Sequence, residues 1–191
     1  MRWKQIAHLS LSGKTREVLP EYDRLYRWLG KDGLFLYNHA AELHEAREYE
    51  KSTAVFEKCV RHFNDMDVQM LLADNYRKLG LYAKAERHLQ LASGMCPSRF
   101  MPLYELVRLY EATGRMEEAL ELASIIVDKE VKIPSATITA IKNEMRRLIE
   151  EQGSDNDPAK QGRTSNKSDH EQEQRQGETP KVRSNGATLP P

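Results

Sequence analysis

The sequence predicts an all-α protein: antiparallel helix pairs stacked as an α-solenoid, closed by a C-terminal capping helix and followed by a disordered tail. Three observations predict it. Between positions 1 and 152 apolar residues recur at helical spacing, and Val, Ile and Thr never alternate with polar residues over the length of a strand. The chain repeats itself at a fixed offset of 34 residues. Beyond residue 152 the composition changes abruptly.

The repeat is clearest when Met66–Phe100 is moved by 34 positions: Leu72 falls on Leu106, Tyr76 on Tyr110, Gly80 on Gly114 and Ala85 on Ala119. Each pair has a physical role in two packed antiparallel helices. Gly80 and Gly114 end a first helix, where a left-handed residue is cheap only for glycine. Ala85 and Ala119 sit at the helix crossing, where a larger side chain would force the helices apart. Tyr76 and Tyr110 are expected to fill the gap between first helices, and Leu72 and Leu106 to face the partner helix. An earlier unit aligns at an offset of 33, with Tyr49 on Tyr82, Phe56 on Leu89 and Ala40 on Ala73. There Arg47 takes the turn and Ser52 the crossing.

The expected organisation is a helical domain over 1–152. It comprises a degenerate pair (1–31), units at 33–65, 66–99 and 100–134, and a capping helix at 135–152. The opening pair would turn at Gly13, and Pro20 inside its second helix predicts a kink or a later helix start. Trp3 and Trp28 are expected to pack there. The last helix puts Ile138, Ile141, Met145 and Leu148 on one face, with Ser135 able to cap its start. A solenoid needs such a helix, because its final pair would otherwise expose an apolar side. Residues 153–191 hold no aromatic residue and only Val182 and Leu189 as large aliphatics, too little apolar surface to offset the entropy of ordering.

Charge narrows the partners. With 29 basic and 29 acidic side chains, nothing favours nucleic acid or an anionic membrane surface. No stretch approaches the roughly 20 apolar residues of a membrane span. The opening MRWKQIAHLSLS is too broken by Lys4, Gln5 and His8 for a signal peptide. Cys59 and Cys96 read as small buried hydrophobes, with neither disulfide nor zinc spacing.

The unit beginning at Met66 resembles the tetratricopeptide repeat (TPR) family. Ala73, Tyr76, Gly80, Tyr82, Ala85 and Pro97 stand at the family's positions 8, 11, 15, 17, 20 and 32. The unit from Phe100 keeps Tyr110, Gly114 and Ala119, has Met116 for the second Tyr and lacks the Pro. The resemblance implies a right-handed superhelix with a concave groove lined by first helices, reached from positions 2, 5, 9, 12 and 13 of each unit. Those positions give the candidate partner-binding residues Tyr37, Ala41, His44 and Glu45, then Met70, Asp74, Arg77 and Lys78, then Tyr104, Arg108 and Glu111. Aromatic anchors with both charge signs suit a peptide or a protein helix. The clamp with which this family grips chaperone C-termini is not expected, because only Arg108 among the fifth and ninth positions would serve it.

Two further segments narrow the likeness. Pro97-Ser98-Arg99-Phe100 with Pro102-Leu103-Tyr104, and Lys129 to Ile133 followed by Ser135, are similar to the C-terminal TPR region of bacterial O-antigen ligase or polymerase-like membrane proteins. That likeness covers about residues 8–150 and implies the accessory repeats without the membrane-embedded catalytic part. At the junction, Arg99 is expected to hold carbonyls at a helix end and Phe100 to enter the core.

No catalytic, cofactor or metal site is expected. His39 and His44 are five residues apart, about 500° around a helix, and do not share a face as metal ligands would. The expectation is a non-catalytic protein–protein interaction scaffold, accessory to surface-polysaccharide assembly, cytoplasmic and peripheral to a bacterial inner membrane. Two alternatives remain open: a structural self-association domain acting as a homo-oligomer, and a fragment of a membrane glycan ligase or polymerase.

Overall fold

The computed structural model of the chain describes residue 6 and residues 15–155. Every element among the described residues is helical: α1 Thr15–Leu29, α2 Gly33–Glu45, α3 Tyr49–Cys59, α4 Met66–Lys78, α5 Tyr82–Met95, α6 Met101–Ala112, α7 Met116–Asp128 and α8 Ala136–Asp155. The chain divides into two units, Met1–Ile149 and Glu150–Pro191. In the first, α2 pairs with α3, α4 with α5 and α6 with α7, and each pair packs on the next.

Local chemistry sets the boundaries. Asp32 and Asp65 cap α2 and α4, each carboxylate accepting the N–H three residues on, from Phe35 and from Val68, at 2.9 Å. Ser135 does the same for α8, accepting from Ile138 at 3.2 Å. The first helices end in one repeated turn. Arg47, Gly80 and Gly114 have φ of 63°, 73° and 74°. The next residue donates back across that turn, Glu48 to Leu43 and Leu81 to Tyr76 at 2.8 Å and Arg115 to Tyr110 at 2.9 Å. These six-to-one bonds satisfy carbonyls that a helix end leaves open. A Cβ added at Gly80 or Gly114 would meet nothing within 4 Å, so the positive φ, not crowding, selects glycine.

Arg47 carries the same turn without that freedom, at a steric cost of about 1–2 kcal/mol. Arg47→Gly is therefore expected to raise stability by about 1 kcal/mol. A urea unfolding curve checks this, and a lowered midpoint would contradict it.

The core runs through the three pairs. Ala85, Ala119 and Ser52 are fully buried at their crossings, as are Leu36, Phe56, Leu72 and Ile126 elsewhere in the cluster. Ile141 and Met145 of α8 complete it at one end. A smaller cluster of Ile6, Val18, Tyr22 and Phe35 joins α1 to α2.

Several expectations are corrected. The capping helix continues to Asp155, so Gly153, Ser154 and Asp155 are helical, and the tail beyond them lies outside the described residues. Trp3 and Gly13 also lie outside them. The helix around Pro20 starts at Thr15, ahead of the proline, so there is no late start. Trp28 is not a packing residue: it is 61% exposed, with the Arg27 guanidinium 3.8 Å from its ring centre. Cys59 is buried and its thiol is pushed up to about 11, first by burial and then by Asp65. Cys96 is only half-buried, because it caps the end of α5.

The repeated tyrosines reach further back than expected. The Tyr76 hydroxyl donates to Glu57 on α3 at 2.6 Å, and that of Tyr110 to Glu86 on α5 at 2.8 Å. Each ties its unit to the second helix of the unit before. Burial raises both phenols, Tyr76 to about 12. Arg115 adds a bond to Glu86 at 2.7 Å and lies 4.3 Å from the Tyr110 ring centre.

Phe100 is buried as expected, but Arg99 is exposed. The carbonyls at this junction are held by lysines instead. Lys129 Nζ donates to Pro97, and Lys142 Nζ to Val127 at 2.8 Å and Lys129 at 2.6 Å. An ammonium carries three donors on a flexible stem, so Lys142 reaches two carbonyls at the end of α7 at once.

Candidate functional site

The first helices α2, α4 and α6 carry all the predicted groove residues, and the structure sorts them into two clusters with outliers. The first cluster joins α2 to α4. His44 Nδ1 lies 2.7 Å from Asn75 Oδ1, and its Nε2 lies 3.5 Å from Asp74 Oδ2. Arg77 Nε donates to Asp74 Oδ1 at 3.2 Å, and its Nη2 contacts the same oxygen. The second cluster joins α6 to α8. Arg108 Nη1 donates to Glu144 Oε1 at 3.0 Å, its Nε lies 3.7 Å from Glu111, and the Tyr104 hydroxyl stands 3.1 Å and 3.2 Å from the two Glu144 oxygens. Burial, then the hydrogen bond to Glu144, raises the Tyr104 phenol. Arg108 is 51% exposed, so this pair contributes at most about 1 kcal/mol.

The outliers do other work. Tyr37 is no free aromatic anchor. Its ring stands edge-on to Phe56 at 6.2 Å and to Phe63 at 6.0 Å, and its phenol is raised by burial and then by Asp67 and Asp65. Glu45 and Lys78 are exposed at the C-terminal ends of α2 and α4.

Between the clusters lies a cavity of about 220 Å³, lined by Met70, Leu71, Ala73, Asp74 and Arg77 of α4, Leu89 of α5 and Glu105 of α6. Its floor is apolar and its rim charged, the usual make-up of a recognition pocket.

The sequence pattern missed four contributors. Asn75 is fully buried and donates through Nδ2 to Ser52 Oγ at 2.8 Å, while Ser52 donates to the Ala40 carbonyl at 2.7 Å. Ser52 is thus a relay between units as well as a small residue. Its presence where the other units have Ala was the available signal, but its partner is 23 residues away. Glu105 sits one position off the groove register, and Glu144 belongs to the capping helix; nothing local marked either.

The two histidines diverge. His39 is buried against α1, its ring stacked on Tyr22 at 5.3 Å, with Nε2 3.3 Å from Asp23. That contact has ion-pair distance without hydrogen-bond alignment. Burial lowers the His39 pKa, outweighing the opposing Asp23 charge. His44 faces α4 instead. Among the described residues, no group of three or more His, Cys, Asp or Glu could hold a metal ion. No described helix is long and apolar enough to cross a membrane.

No protein-family model matches the chain, and no curated protein matches it in sequence. Solved structures do match in shape. The nearly identical TPR-like repeats of a putative kinesin light chain from Podosopora anserina superpose with a TM-score of 0.65 at 19% identity, over 80% of this chain and 88% of that one. MamA from Desulfovibrio magneticus RS-1 gives 0.63 at 18% identity, over 80% and 88%. The TPR protein YrrB gives 0.57 at 18% identity, over 75% and 74%. The fold is a tetratricopeptide-type solenoid. The likeness to O-antigen ligase repeats finds no support in these comparisons, and the structure offers a packing reason for the two segments behind it. Pro97 and Lys129 meet through one hydrogen bond, with Lys129 Nζ also 5.6 Å from the Phe100 ring centre, so both segments build a single junction.

Proposed function

We propose that this chain is a non-catalytic protein-interaction module that binds a peptide or helix of a partner protein along its first helices. The observation that carries this reading is the cavity lined by α4, α5 and α6. A cavity of about 220 Å³ with Met70, Leu71 and Leu89 at its floor has room for one apolar side chain, such as an amphipathic helix lays into a groove. YrrB, a structural neighbour, is described with an unusual peptide-binding site.

Met70→Glu places a carboxylate on that floor. Peptides selected on the full-length chain by display are expected to lose at least about tenfold in affinity for this variant, or ~1.4 kcal/mol. Met70 is half-exposed, so circular dichroism should show an unchanged fold. Selected peptides that bind Met70→Glu as well as the parent would sink the groove reading. Tyr104 and Arg108 make poorer probes, because changing them also releases Glu144 of α8.

A self-association role has one observation in its favour, the exposed Trp28 on α1. A monomer by light scattering at high concentration would remove it. Accessory work in surface-polysaccharide assembly, a peripheral place at a bacterial inner membrane, and descent from a larger glycan ligase rest on the likeness of residues 97–104 and 129–135. A multi-span segment in the adjoining coding sequence would support all three.

A further inference from the structure

The charge around the cavity is unbalanced. Two carboxylates, Asp74 and Glu105, and a single cation, Arg77, line it. Arg77 is committed to Asp74 through two of its nitrogens. Arg108 is likewise committed to Glu111 and Glu144. Among the described residues no cation stands within ion-pair distance of Glu105, and no hydrogen bond engages it. A half-buried carboxylate beside an apolar floor is therefore left without a counter-charge.

A carboxylate in this setting favours a ligand cation more than one in open water would, because the adjoining apolar wall lowers the local dielectric. It disfavours a ligand carboxylate by the same margin. We propose that the α4–α6 cavity takes an apolar side chain from a partner segment whose neighbouring residue is lysine or arginine, with Glu105 as its counter-charge. The apolar residue sits over Leu89 and Met70, and the cation stays at the rim on the α6 side. This assignment rests on the groove reading above and adds the partner's chemistry to it. It also sets this groove apart from one that grips acidic chain ends, since the free charge here is negative.

Three acetylated, amidated hexapeptides test it on the full-length chain: Gly-Ser-Leu-Lys-Ser-Gly, Gly-Ser-Leu-Ser-Ser-Gly and Gly-Ser-Leu-Glu-Ser-Gly. The readout is the ¹³C-methyl signal of Met70, assigned by substitution. The Leu-Lys peptide is expected to shift it with about fivefold higher affinity than Leu-Ser, and Leu-Glu more weakly than either. Glu105→Gln should bring the Leu-Lys affinity down to that of Leu-Ser. Glu105→Lys should reverse the order of Leu-Lys and Leu-Glu. If all three peptides shift Met70 equally in the parent chain, the charge assignment is overturned and the groove reading stands. If none shifts Met70, or all act only elsewhere, both are overturned.

Discussion

Phe56→Ala is expected to lower the unfolding free energy by about 3–5 kcal/mol, the largest effect of any single truncation considered for this chain. Phe56 has no exposed surface and lies within the continuous core, edge-on to Tyr37 at 6.2 Å. Its loss removes the transfer free energy of a phenyl ring and leaves a void that helices pinned on both sides cannot close. A domain of this size is stable by only about 5–15 kcal/mol, so the variant should unfold at a far lower denaturant concentration. The repeat supplies the control. Leu89 holds the corresponding place in the next unit, so leucine fits the local geometry. Phe56→Leu should cost no more than about 1.5 kcal/mol. Chemical denaturation followed by circular dichroism measures both. A loss below about 1 kcal/mol for Phe56→Ala would mean that the site collapses around the void.

Asn75→Ala is expected to cost about 2–4 kcal/mol by a different route, stranding polar groups in the interior. Asn75 is fully buried and both ends of its amide are used. Its Nδ2 donates to Ser52 at 2.8 Å and its Oδ1 stands 2.7 Å from His44 Nδ1. Alanine leaves His44 without its partner and Ser52 without its donor, and opens a space where the amide was. The relay predicts coupling. Ser52→Ala and Asn75→Ala together should cost at least about 1 kcal/mol less than the sum of the two alone. Strict additivity in a double-mutant cycle would show that Ser52 and Asn75 act independently.

Much of the fold was legible because its signals are local. The offset of 34 that sets Tyr76 on Tyr110 and Gly80 on Gly114 needs only the sequence, and the three αL turns sit where the repeat puts them. Even Arg47, which breaks the glycine rule, was placed by register and adopts the left-handed φ. The helix ends were harder. α8 outruns its expected end at residue 152 by three residues, Gly153–Asp155, since helical bonding continues where burial stops. The tyrosine hydroxyls were misdirected because their acceptors, Glu57 and Glu86, lie on the preceding unit, 19 and 24 residues back.

The groove was legible as a set of positions and not as a site. Register selected Met70, Asp74, Arg77, Tyr104, Arg108 and Glu111, and the structure keeps them on α4 and α6. Register could not say that Arg108 would be taken up by Glu144, that Tyr37 would support the core, or that a cavity would form beside Leu89.

By itself, then, the sequence determined the repeat, its left-handed turns, its small crossing residues and its all-helical class. Each of these depends on backbone conformation and on periodic burial within some 34 residues. Only the tertiary structure decided which charges are spent on one another, that Asn75 and Ser52 bind two units together, and that a cavity forms where α4, α5 and α6 meet. Those outcomes depend on the packing distance between neighbouring units, and every side chain at the contact shares in setting it.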